Sequence, residues 1–354
     1  MANPFHIFIT GGAGFIGCNL AATHVARGSA VTIYDNLSRP RTQHNVNWLR
    51  TVAETHPNST FNVLEGDVRD FNLLHTAVNM AQPDLIVHLA AQVAVTTSVT
   101  NPREDFEINA LGTFNVLEAA RTANMPHGAK QPAVFYASTN KVYGGMHDVI
   151  TIEEGARYRY RDLPDGVSEL QPLDFHSPYG CSKGTGDQYV RDYARIYGMR
   201  TVVFRQGSIY GTHQFGVEDQ GWVAYFAIAA ALNKPLTIYG NGKQVRDLLH
   251  VRDLIAAYDA AWKRIDSVSG QEFNVGGGTH NNISIWAEFG PMLEKLAGHR
   301  IDVTYGDWRP GDQPIYVSDT SKAEELLGWK PHISIEQGVT ELWNWVAENK
   351  ELLQ

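Results

Sequence analysis

The chain has 354 residues, 43% hydrophobic and 19% charged, which is enough apolar material for a sizeable core and too little charge for a disordered chain. A formal net charge of −9 argues against a nucleic-acid partner, yet leaves room for a nucleotide ligand held by a local pair of cations and a helix terminus. Only Cys18 and Cys181 are present, no run approaches about 18 apolar residues, and the first residues lack a basic start or a cleavage site, so we expect no disulfides, no metal site, no membrane span and a cytoplasmic location.

In chain order, 5–10 reads as a buried strand ending at glycines, and 14–27 as a helix ending at Gly28. Strands follow at 30–35, 61–65, 84–90 and 133–138, with helical patterns between them, the clearest over 102–123. Residues 201–205 form a sixth strand after a helix over 176–197. Continuous apolar strands alternating with helices predict an α/β fold: a doubly wound parallel sheet of Rossmann type, covered on both faces. The stretch 145–174 is polar and without a clear period, a loop excursion of the kind that holds function. After about residue 207 the rhythm is less regular, so the expected division is a dinucleotide-binding domain over 1–207 and a smaller mixed α/β lobe over 208–354, some of whose segments return to the first domain.

Thr10-Gly-Gly-Ala-Gly-Phe-Ile-Gly17 joins the first strand to the first helix. Gly11, Gly14 and Gly17 permit a tight turn and close packing, and the helix N-terminus then faces a pyrophosphate. Asp35, at the end of the second strand, accepts from a ribose 2′-hydroxyl and repels a 2′-phosphate, which favours NAD over NADP. Asp67 is placed at the end of the third strand, beside the adenine.

Tyr179 and Lys183 stand at i and i+4 and share a helix face. The ammonium favours the phenolate, so Tyr179 is expected to titrate below its ordinary range in the holoenzyme. With the Thr139 hydroxyl at a strand end, the trio suits an alcohol–ketone exchange with a nicotinamide as hydride partner. The packing role open to Tyr179 loses weight because a complete cofactor fingerprint precedes it.

Taken together, the glycine loop, the Tyr-x-x-x-Lys pair and the length resemble the extended short-chain dehydrogenase/reductases that act on nucleotide sugars. Thr139-Asn-Lys-Val-Tyr-Gly144, Phe175-His-Ser-Pro-Tyr-Gly-Cys-Ser-Lys183 and Asp219-Gln-Gly-Trp-Val223 look like the CDP-tyvelose (CDP-paratose) 2-epimerases. A 4,6-dehydratase carries Thr-Asp-Glu where this chain has Thr139, Asn140 and Lys141, and a UDP-galactose 4-epimerase carries small residues there. The resemblance implies an NAD site lined by Gly11, Gly14, Phe15, Ile16, Gly17, Asp35, Asn36, Asp67, Val68, Leu89, Ala90, Ala91, Gln92, Asn109, Ser138, Tyr179 and Lys183. It implies a CDP-sugar substrate, with Arg246 and Arg309 clamping the diphosphate, Asp312 accepting from a ribose hydroxyl, and Ser208, Gln220, Gly221 and Trp222 near sugar and base. An ordinary ion pair is the alternative for each arginine.

The implied reaction is oxidation at C2 and re-reduction on the opposite face, with the cofactor retained and the keto sugar shielded from water. A 4-epimerase of a UDP- or GDP-sugar, or a net dehydrogenase that releases its reduced cofactor, uses the same residues. A cofactor-sensing regulator would usually have lost the Tyr or the Lys. The resemblance also implies a homodimer or homotetramer built on the helices over 102–123 and 176–197. Cys181 is expected to pack, and His88, His176 and His250 to be structural. The Arg157–Arg161 cluster either covers the substrate or is a solvated loop.

Overall fold

The computed structural model describes residues 5–309 and 312–354; the leader reading of residues 1–4 lies outside them. Two compact units emerge. The first comprises the residues up to Ser138 with Pro178–Phe204 and Ala261–Glu272; the second comprises Thr139–Ser177, Arg205–Ala260 and the residues from Phe273 on. The 145–174 excursion thus belongs to the second unit, and 261–272 returns to the first.

The first unit is organised by β1 (His6–Thr10), β2 (Ala30–Asp35), β3 (Thr60–Glu65), β4 (Leu85–His88) and β5 (Ala133–Thr139), in a seven-stranded sheet completed by Thr201–Gln206 and Gln271–Val275. In space the order runs from 271–275 through 201–206, β5, β4, β1 and β2 to β3, and each pairing along β5-β4-β1-β2-β3 is parallel. The alternation of a strand explains the layers. Phe8, Tyr34, Ile86, Val134 and Tyr136 share one buried cluster with residues of the helices Phe71–Ala81, Gly112–Arg121 and Ser177–Tyr197. Their neighbours Ile7, Ile9, Val31, Ile33, Leu85 and Val87 are equally buried, so the sheet is covered on both faces, as its apolar strands require.

From β1 the chain proceeds to β2 and β3 on one side, then crosses to β4 on the other. The loops after β1 and β4 therefore meet at the switch point, where open α/β sheets bind ligands. Two expectations shift here. The fourth strand stops at His88: Leu89 N still donates to Thr10 O at 3.1 Å, and Ala90 N turns to the Thr10 hydroxyl at 3.3 Å. The helix expected over 102–123 is α-helical over Pro102–Phe106, a π turn over Glu107–Leu111 and α-helical again over Gly112–Arg121.

The second unit holds a mixed four-stranded sheet, in which Val245–His250 pairs antiparallel with Asn282–Ser284 and parallel with Ile315–Tyr316 and Ser208–Tyr210. The excursion is not structureless: Thr151–Glu154 and Arg157–Tyr160 form an antiparallel hairpin. The Arg-Tyr-Arg-Tyr alternation is the period-2 signal that marks it.

Candidate active site

Gly11 adopts φ +69°, and a Cβ there would lie 2.6 Å from Ala90 N; a Cβ on Gly17 would lie 2.4 Å from Gly11 O. The first demand is for a left-handed turn pressed against the β4 loop, the second for a helix seated on that turn. The helix Phe15–Ala26 begins with Gly14 as N-cap, with no capping side chain and no acid in its first turn, so its amides remain available to an anion. Asp35 Oδ2 accepts from Ala13 N at 3.0 Å and Oδ1 from Leu37 N at 2.9 Å, which pins the turn and still leaves lone pairs for a hydroxyl. Burial raises the Asp35 pKa, against these two bonds and Arg39. These groups fit a dinucleotide.

Asp67 lies two residues past the end of β3, not on it. It pairs with Arg69 at 2.7 Å and accepts from Asn36 Nδ2 at 2.8 Å, and the Arg69 hydrogen bond is the main cause holding its carboxyl down at about 2. Val68 is buried, and its carbonyl accepts from Asn115 Nδ2. Phe15 and Ile16 open the first helix. Leu89, Ala90, Ala91 and Gln92 form the loop after β4, beside Asn109 of the π turn: Asn109 Oδ1 accepts from Gln92 N at 3.0 Å, and its Nδ2 donates to Gln92 O at 2.9 Å.

A cluster that single motifs do not announce lies beneath the Tyr–Lys helix. Asp105, wholly buried, accepts from Ser182 Oγ at 2.5 Å, Gln92 Nε2 at 2.9 Å and Asn109 Nδ2 at 3.1 Å. Ser138 Oγ donates to Asp187 at 2.8 Å. Lys183 is buried with its ammonium 4.3 Å above the Tyr136 ring. Burial pulls its pKa down to about 7, and the attraction of Asp105 and Asp187 opposes that fall. Tyr179 is buried one turn earlier, its amide bonded to Ser98 Oγ at 3.2 Å. Asp105, Asn109 and Thr113 stand at successive fours, a spacing that groups them on one face without revealing that the face is buried.

His88 is the structural histidine expected of it: Nδ1 meets Thr10 Oγ at 2.7 Å, Nε2 meets Thr113 Oγ at 3.1 Å, and burial lowers its pKa to about 3. His250 is buried, and His176 is exposed. Cys181 is exposed rather than packed, because it stands roughly 200° around the helix from Tyr179.

In the second unit, Thr139 begins the turn that follows β5, and its hydroxyl accepts from Lys141 N at 3.3 Å. Arg246 pairs with Asp312 at 2.7 Å. Arg309 lies 3.8 Å from the Tyr239 ring centroid and meets Glu218 and Asp219 at 3.5 and 3.3 Å. Ser208 lies on a strand; Gln220 and Gly221 precede the helix Trp222–Ala231, and the Trp222 indole N–H is buried without a protein acceptor. Arg157 is tied to Glu288 and Asn282, Arg159 to Glu154 and Arg161 to Asp162, so this cluster consists of ion-paired side chains on and beside the hairpin. Among the described residues no helix is long and apolar enough to cross a membrane, and no group of acids, histidines and cysteines is disposed to hold a metal.

Over residues 8–342 the chain matches the family described as GDP-mannose 4,6 dehydratase. It is 42% identical to the CDP-paratose 2-epimerase of Salmonella typhi, over 96% of this chain and 99% of that protein. It is 31% identical to the dTDP-glucose 4,6-dehydratase of Escherichia coli, over 98% of this chain and 95% of that one. The solved structure of UDP-glucuronic acid 4-epimerase from Bacillus cereus, in complex with UDP-glucuronic acid and NAD, gives a TM-score of 0.80 at 26% identity, over 97% of this chain and 99% of that chain.

Two outcomes follow for the first unit. Asp35→Ala removes the acceptor of two backbone amides and should lower the unfolding free energy by about 2–3 kcal/mol in urea titration, with a greater loss of NAD affinity than of secondary structure. Lys183→Met should stabilise the cofactor-free protein at pH 7. An unfolded lysine titrates near 10.5 and the folded one near 7, so wild-type stability rises with pH across that window, and the advantage of the variant should vanish towards pH 10.5. Thermal unfolding at a series of pH values reads this directly.

Proposed function

The chain belongs to the GDP-mannose 4,6-dehydratase family, whose relatives named above are nucleotide-sugar epimerases and dehydratases, and we propose that it is an NAD-dependent 2-epimerase interconverting CDP-paratose and CDP-tyvelose. The observation that carries this reading is the turn after β5. It presents Thr139 followed by an amide, Asn140, and an ammonium, Lys141, where loss of water would call for carboxylates. The relative that is 42% identical over nearly the whole chain, named a CDP-paratose 2-epimerase, supports the same choice.

NAD is held by the glycine turn, Asp35, Asp67 and the Leu89–Gln92 loop, and when bound it supplies the acceptor and donor of the C2 hydride. Tyr179, as phenolate, takes the proton of the C2 hydroxyl and later returns one to the same oxygen. Lys183 favours that phenolate and holds the nicotinamide ribose. Thr139 donates to the C2 oxygen as it becomes a carbonyl. Arg246 and Arg309 keep the diphosphate fixed while the 2-keto sugar turns its other face. Ser208, Gln220, Gly221 and Trp222 line the sugar and base. Phe106, Phe114, Tyr189, Ile196 and Tyr197 expose apolar surface on the two helical segments expected to join protomers, which supports a homodimer.

Proton NMR of the purified protein with CDP-paratose and no added NAD should show a second anomeric signal growing to a fixed ratio, because inversion at C2 changes the splitting of the anomeric proton. An unchanged spectrum after NAD is supplied would sink the reading in favour of a UDP- or GDP-sugar 4-epimerase. Tyr179→Phe should reduce the rate by at least about 100-fold with little change in CDP affinity. For the assembly, Phe114→Glu should convert the dimer to monomer in sedimentation velocity; a wild type already monomeric at micromolar concentration would refute the dimer.

A further inference from the structure

The turn Asn140–Tyr143 is held firmly inside the second unit. Val142 and Tyr143 lie in a buried cluster with Val245, Ile315 and Tyr316. Gln313 Nε2 donates to Gly144 O at 2.5 Å, and Asp174 N donates to Val142 O at 3.0 Å. Arg246 follows Val245 directly, and Asp312 precedes Gln313. Because Val142 and Val245 share that cluster, their chain neighbours Lys141 and Arg246 come within electrostatic reach of each other and of Asp312.

The charges there do not cancel. Two cations, Lys141 and Arg246, share one carboxylate, Asp312, and that carboxylate is already bonded to Arg246 at 2.7 Å. The Lys141 backbone N–H is bonded to Thr139, whereas among the described residues its ammonium has no hydrogen-bond acceptor. A half-buried ammonium beside a second cation is disfavoured by burial and by repulsion, and an anion relieves both. The Arg309 corner is different, for Glu218 and Asp219 already outweigh its single positive charge. The surplus positive charge therefore lies at Lys141, two residues from the hydroxyl of Thr139.

We propose that Lys141 is a specificity-determining residue that binds the sugar-side phosphate of the nucleotide diphosphate together with Arg246. The proposal rests on the nucleotide-sugar reading above but not on the position of epimerisation. Burial and Arg246 pull the Lys141 ammonium down to about 8, with Asp312 opposing, so an arriving phosphate also draws a proton onto it at alkaline pH.

Calorimetry on the holoenzyme with CDP and CMP, and in parallel with UDP and UMP, tests this. Wild type should bind the diphosphate more tightly than the monophosphate. Lys141→Met should weaken the diphosphate about 10- to 100-fold while changing the monophosphate less than about 2-fold, and Lys141→Arg should recover most of the loss. At pH 8.5, buffers of different ionisation enthalpy should reveal proton uptake on CDP binding in wild type and not in Lys141→Met. The variant should melt no lower than wild type, since it removes an unpaired charge. Equal losses for diphosphate and monophosphate, no diphosphate preference in wild type with either base, or a lowered melting temperature would overturn the proposal. A preference for UDP with the Lys141 effect intact would instead overturn the CDP-sugar reading and leave this one standing.

Discussion

A buried run of hydrogen bonds, from Thr10 at the end of β1 to Ser182 on the Tyr–Lys helix, is what the rest of the first unit depends on. Its directions can be worked out. Thr113 Oγ donates to Asn109 O at 2.5 Å, so it accepts from His88 Nε2, and Nδ1 of the same ring must accept from Thr10 Oγ. The Thr10 hydroxyl oxygen is then free to receive Ala90 N, while Leu89 N is shared between that oxygen and Thr10 O. From Asn109 the run continues to Gln92, Asp105 and Ser182. The links from Thr10 through His88 to Thr113 need a neutral ring, and its low pKa secures that across the physiological range. The loop after β4 and the Tyr–Lys helix are therefore held by one ordered set of protons, not by two independent motifs.

The π turn belongs to the same logic. An unbroken α-helix would carry Asn109 in regular register, whereas the wider turn accompanies an Asn109 side chain that bonds Gln92 in both directions while its carbonyl meets Thr113. The polar groups so gathered surround a lysine that burial would otherwise discharge. Asp105 and Asp187 are the charges that oppose this, and the face of Tyr136 adds an aromatic surface under the ammonium. The balance leaves Lys183 about half protonated near pH 7, a condition that a bound anion or a nearby phenolate tips towards the ammonium.

The sheet, its strand limits to within a few residues, and the glycine turn were legible because each has a local cause: apolar alternation, a positive φ, a close approach. The place of Asp35 at a strand end and of Tyr179 and Lys183 one turn apart on a helix was legible from spacing. Asp105, Thr113 and Asp187 were not, because an acid or a hydroxyl on a helix reads as solvated until its partners, such as Gln92 and Ser182 for Asp105, are brought in from distant parts of the chain. The hairpin at 151–160 has only a period-2 alternation to mark it, and the charges of Arg157 and Arg159, paired with Glu288 and Glu154, mask that alternation in a hydrophobicity pattern. Cys181 was misplaced because a helix face cannot be told from its neighbour by residue type alone.

The second unit shows why one position can redirect a shared scaffold. A carboxylate at residue 141 would sit beside Arg246, form an ion pair with it and compete with Asp312, leaving that corner with no surplus positive charge. An ammonium there does the opposite: it repels Arg246 and enlarges the demand for an anion. The backbone of the turn is indifferent to the exchange, since Thr139 bonds the amide of residue 141, not its side chain, and Val142 and Tyr143 supply the packing. The scaffold can therefore keep Thr139 and its bond to the backbone of residue 141 while the side chain there sets the sign of the charge beside Arg246.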